Sequence, residues 1–378
     1  MVGASTNSQT TAQLSVLLVG HSGSIHFRRW VDALAQHPRV NLWVLDWAER
    51  SPNLSCPVLQ WPYPFNQPHR WQRVWARGRN IQWLHQLVRT NRIDIVHVHW
   101  LANAYDFFWL PRSLPLIIHL WGSDLLHLPS ASYKVKFYSM LALRRAQCIL
   151  VPARHMKQFL CDQLRIPASK ISIIRWGIDP ALFRPRVDGS TGHDRCVLLS
   201  YRAWRPLYNI DIIIQAFAMA VRQEPKLHLI IKSPPYTTDA QPWIEQLIRQ
   251  ADISPTHITL AGPCRYYELP GWLHQADAVV SIPSSDGSPV SLLESMACGC
   301  LPIVSDIPGN REWIQDGYNG LIVPVRDVEA TAQAMVTIAR MPHQQKTLWR
   351  QRNYQIVQKE GLHSFWVARL VQLYHSIL

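Results

Sequence analysis

Two carboxylates, Asp286 and Glu294, stand with seven residues between them in Pro283-Ser284-Ser285-Asp286-Gly287-Ser288-Pro289-Val290-Ser291-Leu292-Leu293-Glu294-Ser295-Met296-Ala297-Cys298-Gly299. Ser288 suits a helix cap, Pro289 the first helical position and Gly299 the left-handed position just past the end, so about ten residues of helix are expected. Val290, Leu293 and Ala297 fall on one side and can face a core, while Gly287 leaves the preceding backbone open to close approach. First-turn amides and the helix dipole attract phosphate. Glu294, five residues past Pro289, lies roughly 7.5 Å further along the axis, about one diphosphate-to-ribose span. It can accept from ribose hydroxyls while Asp286 meets whatever hangs beyond the phosphates. The plain alternative is a capped helix with two solvated carboxylates.

The elements that would position these groups form an alternating series. Strands are expected at Leu14–Gly20, Val40–Trp47, Asp94–Trp100, Leu116–Gly122, Cys148–Ala153 and Ile171–Gly177, with helical patterns between most of them. Phe183–Arg195 gathers Pro, Gly and charge and reads as a linker. A second series follows at Val197–Ala203, Leu227–Ser233, Ile258–Gly262, Ala278–Ser284, Leu301–Asp306 and Gly320–Val325, then helices over 327–341 and 343–378. In the last helix Phe365, Trp366, Leu370, Leu373 and Tyr374 read as packing residues. The fold class is α/β: two doubly wound, Rossmann-like domains, 1–188 and 189–378, facing across a cleft, with ligands at strand carboxyl ends.

Composition narrows the chemistry. The 378 residues are 48% hydrophobic, as in globular proteins, with no secretory signal and no run of eighteen apolar residues, so a cytoplasmic location is expected. The seven cysteines are scattered and read as reduced thiols. No Asp-x-Asp or His-Glu-x-x-His occurs, so no catalytic metal is expected, and Gly20-x-x-Gly23 lacks the third glycine of a nicotinamide fingerprint. Residues 1–188 hold 22 Lys and Arg against 9 Asp and Glu, whereas residues 189–378 hold 16 of each. The whole excess of +13 therefore lies in the first half, a field that attracts anionic surfaces or polyanions.

In order along the chain, Asp94-Ile95-Val96-His97-Val98-His99, Ile118-His119-Leu120-Trp121-Gly122-Ser123-Asp124, Trp176-Gly177-Ile178-Asp179, Leu182-Phe183-Arg184-Pro185, Leu293–Gly299, Pro302–Asp306, Glu312 and Asp316-Gly317-Tyr318-Asn319-Gly320-Leu321 make the sequence resemble the retaining nucleotide-sugar glycosyltransferases of family four, which have the GT-B fold. The resemblance covers nearly the whole chain. It implies that Glu294 holds the donor ribose, that Asp286, a glutamate in relatives, touches the donor sugar, and that Gly287, Ser288, Pro289 and Val290 lend backbone to the diphosphate or sugar. Arg202 matches the family's arginine for the leaving diphosphate. Tyr208 stands where a lysine is expected, so Arg205 or Lys232 is the candidate replacement cation. Gly23 is the best match to the family's glycine-rich loop, and His119 to a histidine near the donor sugar. His97 and His99 read as structural.

The resemblance further implies a metal-independent transfer of a hexose-type sugar, without a cofactor, to a glycan or lipid-linked acceptor. The acceptor would attack from the face the leaving group vacates, and a phosphate oxygen would take its proton. His69–Arg92 holds six arginines, three tryptophans and no acid, a composition suited to an anionic membrane surface or to a helix that buries its tryptophans. Salt-sensitive binding to anionic liposomes is expected. Three other functions share the scaffold: a non-catalytic or regulatory binding protein, a sugar-nucleotide epimerase and a phosphorylase. No nucleic-acid motif accompanies the charge.

Overall fold

In a computed structural model, residues 13–47, 54–63, 69–186, 194–233 and 240–378 are described. The expected domain break at 188/189 lies outside them. The chain divides into two units, Met1–Ile174 with Ser364–Leu378, and Arg175–His363.

The first unit is a seven-stranded parallel sheet in the order β3-β2-β1-β4-β5-β6-β7. Its strands are β1 (Leu14–Gly20), β2 (Val40–Asp46), β3 (Val58–Gln60), β4 (Ile95–His99), β5 (Leu116–His119), β6 (Cys148–Val151) and β7 (Ile171–Ile173). The connecting helices are α1 (Ile25–Ala35), α2 (Arg70–Thr90), α3 (Ser123–Leu126), α4 (Tyr133–Arg145) and α5 (Arg154–Asp162), with a 3-10 segment over Leu101–Trp109. β1, β4, β5 and β6 are buried almost throughout because helices cover both faces of a parallel sheet. On β4 the alternation separates Val96 and Val98, which join the core beneath α2 and α4, from His97 and His99 on the other face.

The second unit is a six-stranded parallel sheet, β10-β9-β8-β11-β12-β13. It contains β8 (Cys196–Ser200), α6 (Ile210–Gln223), β9 (Leu227–Lys232), α7 (Gln241–Gln250), β10 (Ile258–Ala261), α8 (Leu269–Gln275), β11 (Ala278–Ser281), α9 (Val290–Ala297), β12 (Leu301–Ser305), α10 (Pro308–Arg311), β13 (Leu321–Val323), α11 (Val328–Arg340) and α12 (His343–Glu360). Strand order reverses between β8 and β11. In sheets of this kind that reversal opens the crevice where ligands bind.

The sequence placed the last helix with the second domain, and the structure corrects this. The helical pattern over 343–378 breaks at Gly361, and α13 (His363–Ile377) belongs almost wholly to the first unit. There it buries Trp366, Val367, Leu370, Val371 and Tyr374, and the Tyr374 hydroxyl meets His97 Nδ1 at 2.5 Å. The segment leading into it runs against Gly177, where His363 N donates to Ile178 O at 2.9 Å. A Cβ on Gly177 would stand 2.5 Å from that same nitrogen, and its φ is +59°. The glycine of Trp176-Gly177-Ile178-Asp179 is thus required by close backbone approach.

Candidate active site at the switch point of the second sheet

β8 and β11 are neighbours, and the loops leaving their carboxyl ends carry Arg202 and Asp286. One nitrogen of the Arg202 guanidinium donates to Asp286 Oδ2 at 2.7 Å, and another to Ser291 Oγ, in the first turn of α9, at 2.8 Å. The Tyr208 ring lies 4.4 Å from the guanidinium carbon. Burial alone would lower the pKa of this guanidinium; the Asp286 carboxylate and Tyr208 outweigh it and raise the pKa, so Arg202 is a permanent cation.

The two loops are fastened to each other by backbone. Ser284 N donates to Leu207 O at 2.8 Å, and Asn209 Nδ2 donates to Ile282 O at 2.8 Å. Ser305 Oγ donates to Pro283 O at 2.6 Å and Asn310 Nδ2 to Ser305 O at 2.8 Å, which ties the ends of β11, β12 and α10 together. Gly309 completes the packing, since a Cβ there would stand 2.8 Å from Asp286 O. Asp286 is thereby held on a braced loop rather than on a free one.

α9 differs from its sequence expectation. It has eight residues, Val290–Ala297, its cap is Pro289, and Ser288 makes no side-chain cap. The Val290 amide turns back on Ser288 O at 3.0 Å in a three-residue turn centred on Pro289, whose φ is −78° and ψ 87°. Gly299 does take the left-handed position, with φ +83°. Seven of the eight residues are buried, Glu294 among them. The Tyr266 hydroxyl donates to Glu294 Oε1 at 2.6 Å and so holds the carboxylate in place. Tyr266 follows β10 and leans edge-on against Phe183, a role for which no sequence signal was available.

Arg202, Asp286, Glu294 and Ser291 thus lie about one strand edge, with Gly287, Ser288, Pro289 and Val290 between the carboxylates. Arg205, at the head of the 3-10 turn Pro206–Tyr208, is exposed. Lys232 is fully buried: its amine donates to Gly262 O and lies 4.5 Å over the Trp272 ring. Its amine is therefore already engaged at the end of β9.

In the first unit Gly23 lies in the loop after β1, and His119 is the last residue of β5. The Gly23 amide donates to His21 Nδ1 at 3.0 Å, and the neighbouring Ser22 amide donates to Asp46 Oδ1 at 2.9 Å, so the loop after β1 is pinned to the end of β2. His119 is fully buried in a cluster with His97 and His99, ring centroids 5.5 and 4.7 Å away, and Trp30 covers it at 5.7 Å. Burial pulls all three imidazoles well down, His119 to about 3, so each is neutral. The three offer one ligand atom apiece within 4.8 Å, the only group of that kind among the described residues. No carboxylate is in that group, and the Trp121 indole N–H points at His99 Nδ1 at 3.3 Å, which opposes a metal at that nitrogen.

Comparison with known proteins fits this geometry. Residues 195–341 match the family model of the glycosyl transferases group 1, and residues 23–182 match that of glycosyltransferase family 4. The chain belongs to these glycosyltransferases. The D-inositol 3-phosphate glycosyltransferase of Frankia alni is 23% identical over 289 residues, covering 68% of this chain and 67% of that one. The UDP-Gal:alpha-D-GlcNAc-diphosphoundecaprenol alpha-1,3-galactosyltransferase of Escherichia coli is 22% identical over 282 residues, covering 68% of each. The Anabaena protein Alr3699/HepE, solved with UDP and glucose, superposes with a TM-score of 0.78 at 15% identity, over 96% of this chain and 100% of that one. The glycosyltransferase therefore has the GT-B architecture of two Rossmann-like sheets.

Proposed function

We propose that this glycosyltransferase moves a hexose-type sugar from a nucleoside-diphosphate sugar to a phosphate-bearing glycan or lipid-linked acceptor, with retention and without a metal. The observation that carries the reading is the Arg202 guanidinium at the switch point, bridged to Asp286 and Ser291 beside the start of α9. A fixed cation at a helix start is suited to charge growing on a departing diphosphate. Glu294, steadied by Tyr266, accepts from the ribose, and Asp286 faces the sugar. The bond from the anomeric carbon to the diphosphate oxygen breaks. The acceptor oxygen forms its bond on the same face, and its proton passes to a phosphate oxygen of the leaving group.

The acceptor class draws on the excess of positive charge in residues 1–188 and on the two relatives named above, whose acceptors both carry phosphate by name. The second of them, named for a diphosphoundecaprenol acceptor, supports a lipid-linked acceptor. Thermal unfolding with a panel of UDP- and GDP-sugars tests the reading, because a donor at 100 times its dissociation constant stabilises by about 2.7 kcal/mol. A shift selective for one donor and lost in Glu294→Ala is expected. No shift with any donor, from a protein that melts cooperatively, overturns it. That result would favour a scaffold that has lost donor binding, a reading suggested by Tyr208 in place of lysine and by the engagement of Arg202 with Asp286.

A further inference from the structure

Helices of a folded domain bury their apolar side chains, and the first two turns of α4 do the opposite. Seven consecutive residues, Ser132 to Tyr138, are exposed. Among them Tyr133 is 84% exposed and Phe137 51%, with Val135 between them and Lys134 and Lys136 alternating through the run. Only the second half of α4 enters the core, through Ser139, Ala142 and Leu143. The start of α2 behaves alike: Trp71 is 68% and Trp75 56% exposed, with Arg73 and Arg79 exposed alongside.

The topology brings these two stretches to one edge. α2 leads into β4 and α4 leads from β5 to β6, both in parallel crossovers, so each helix starts over the carboxyl edge of the sheet. Right-handed crossovers moving in one direction along the sheet keep them on one face. The 3-10 segment between them ties the face together: the Tyr105 hydroxyl meets Ser139 Oγ at 2.8 Å, and Arg77 pairs with Asp106. α2 and α4 contain no acid, and Asp106, the one acid of the 3-10 segment, is buried against Arg77.

We infer that this face, the first turns of α4 and α2 at the carboxyl edge of the first sheet, docks on an anionic lipid bilayer. Aromatic rings with a polar edge settle at the headgroup level, and flanking Lys and Arg each strengthen binding to an anionic leaflet roughly fivefold. A second copy of the chain is the poorer partner: its matching face would set Lys134, Lys136 and the arginines against like charges with no carboxylate to meet them. The inference rests on the reading that the acceptor is carried by a membrane. Docking by the carboxyl edge would bring strand ends, rather than the opposite rim, toward such an acceptor.

Co-sedimentation of the full chain with phosphatidylglycerol/phosphatidylcholine vesicles tests this, with pure phosphatidylcholine as control. Binding to the anionic vesicles at low salt is expected, weakened by high salt and reduced at least tenfold in Tyr133→Ser/Phe137→Ser and in Lys134→Glu/Lys136→Glu. All four side chains are exposed, so the melting temperature and the donor-induced shift should stay as in the parent. No binding at low salt, or equal binding by both variants, overturns the proposal. Self-association that Phe137→Ser abolishes, without vesicle binding, assigns the face to a second copy instead. Vesicle binding with no donor-induced shift would leave the docking face standing and remove the transferase reading, so the two fail separately.

Discussion

Arg202 and Asp286 form an ion pair at 2.7 Å across the loops that leave two adjacent strands, and both side chains are mostly buried. In the proposed reaction the pair is the fixed cation for the departing diphosphate and, beside it, the carboxylate that faces the sugar. Arg202 is then asked to stabilise charge that exists mainly in the transition state. Arg202→Ala is expected to lower turnover by on the order of 10²–10³ with a smaller change in donor KM. Arg202→Lys keeps the charge but cannot reach Asp286 and Ser291 as a fork, and it should fall between. Steady-state kinetics with the identified donor decide; a rise in KM alone would make Arg202 a ground-state binding residue.

The Tyr266 phenol and the Glu294 carboxylate offer a cleaner separation. Tyr266→Phe removes one hydrogen bond to a buried carboxylate, about 1.5–3 kcal/mol when the acceptor is charged. Donor affinity should fall roughly tenfold with turnover little changed, and Glu294→Ala should fall further. In the double variant the Tyr266 effect on donor affinity should vanish if the phenol acts on the donor through Glu294. Additive losses by calorimetry would give Tyr266 a donor contact of its own.

How much of this was legible depends on whether the signal was local. The buried strands could be read because both faces of a parallel strand must be apolar; β3, three residues at the margin of the first sheet, carries no such run. The spacing of Asp286 and Glu294 about a helix start was readable from Pro289 and Gly299, but not the ion pair, because Arg202 lies 84 positions before Asp286. Lys232 is a candidate replacement cation in the sequence, and only packing reveals Gly262 O and Trp272 around it. The return of α13 rests on Tyr374 meeting His97, 277 positions away, which no local pattern encodes.

Three neutral imidazoles in one buried face make the first unit acid-sensitive. Burial lowers the folded pKa of His97, His99 and His119 below the ordinary 6.5, so the unfolded chain binds more protons as the pH falls beneath that value. Their contribution is complete above about pH 6.5 and is lost progressively through the window down to about 3, where His119 titrates in the fold. The loss is at most about 1.4 kcal/mol per histidine per pH unit. The carboxyls of Asp106 and Asp124, raised by burial, oppose it only as the pH approaches the carboxylate range. Urea unfolding at pH 7.5 and pH 5.5 should differ by several kcal/mol. Equal stability at the two values would mean that water or a counter-charge reaches the cluster.

Chelation addresses the same cluster from another side. With Arg202 supplying the positive charge, sugar transfer should persist undiminished after dialysis against EDTA. A loss restored by zinc, and absent from a His119→Asn variant that still binds donor, would instead place a metal among His97, His99 and His119, the one group with suitable spacing among the described residues.

Two glycines separate backbone conformation from crowding. Gly177 and Gly317 both have positive φ, +59° and +68°, but a Cβ on Gly177 would stand 2.5 Å from the His363 nitrogen, whereas one on Gly317 would meet nothing within 4 Å. Alanine at either position adds the left-handed penalty, about 1–2 kcal/mol. Gly177→Ala must in addition push back the backbone that leads into α13, and that backbone is held by the His363 N to Ile178 O bond. It should therefore lose at least about 2 kcal/mol more than Gly317→Ala, roughly 4–8 °C in melting temperature. The first unit should feel the change as well, because α13 carries Tyr374 to His97. Equal melting temperatures for the two variants would show that the segment before α13 yields without cost.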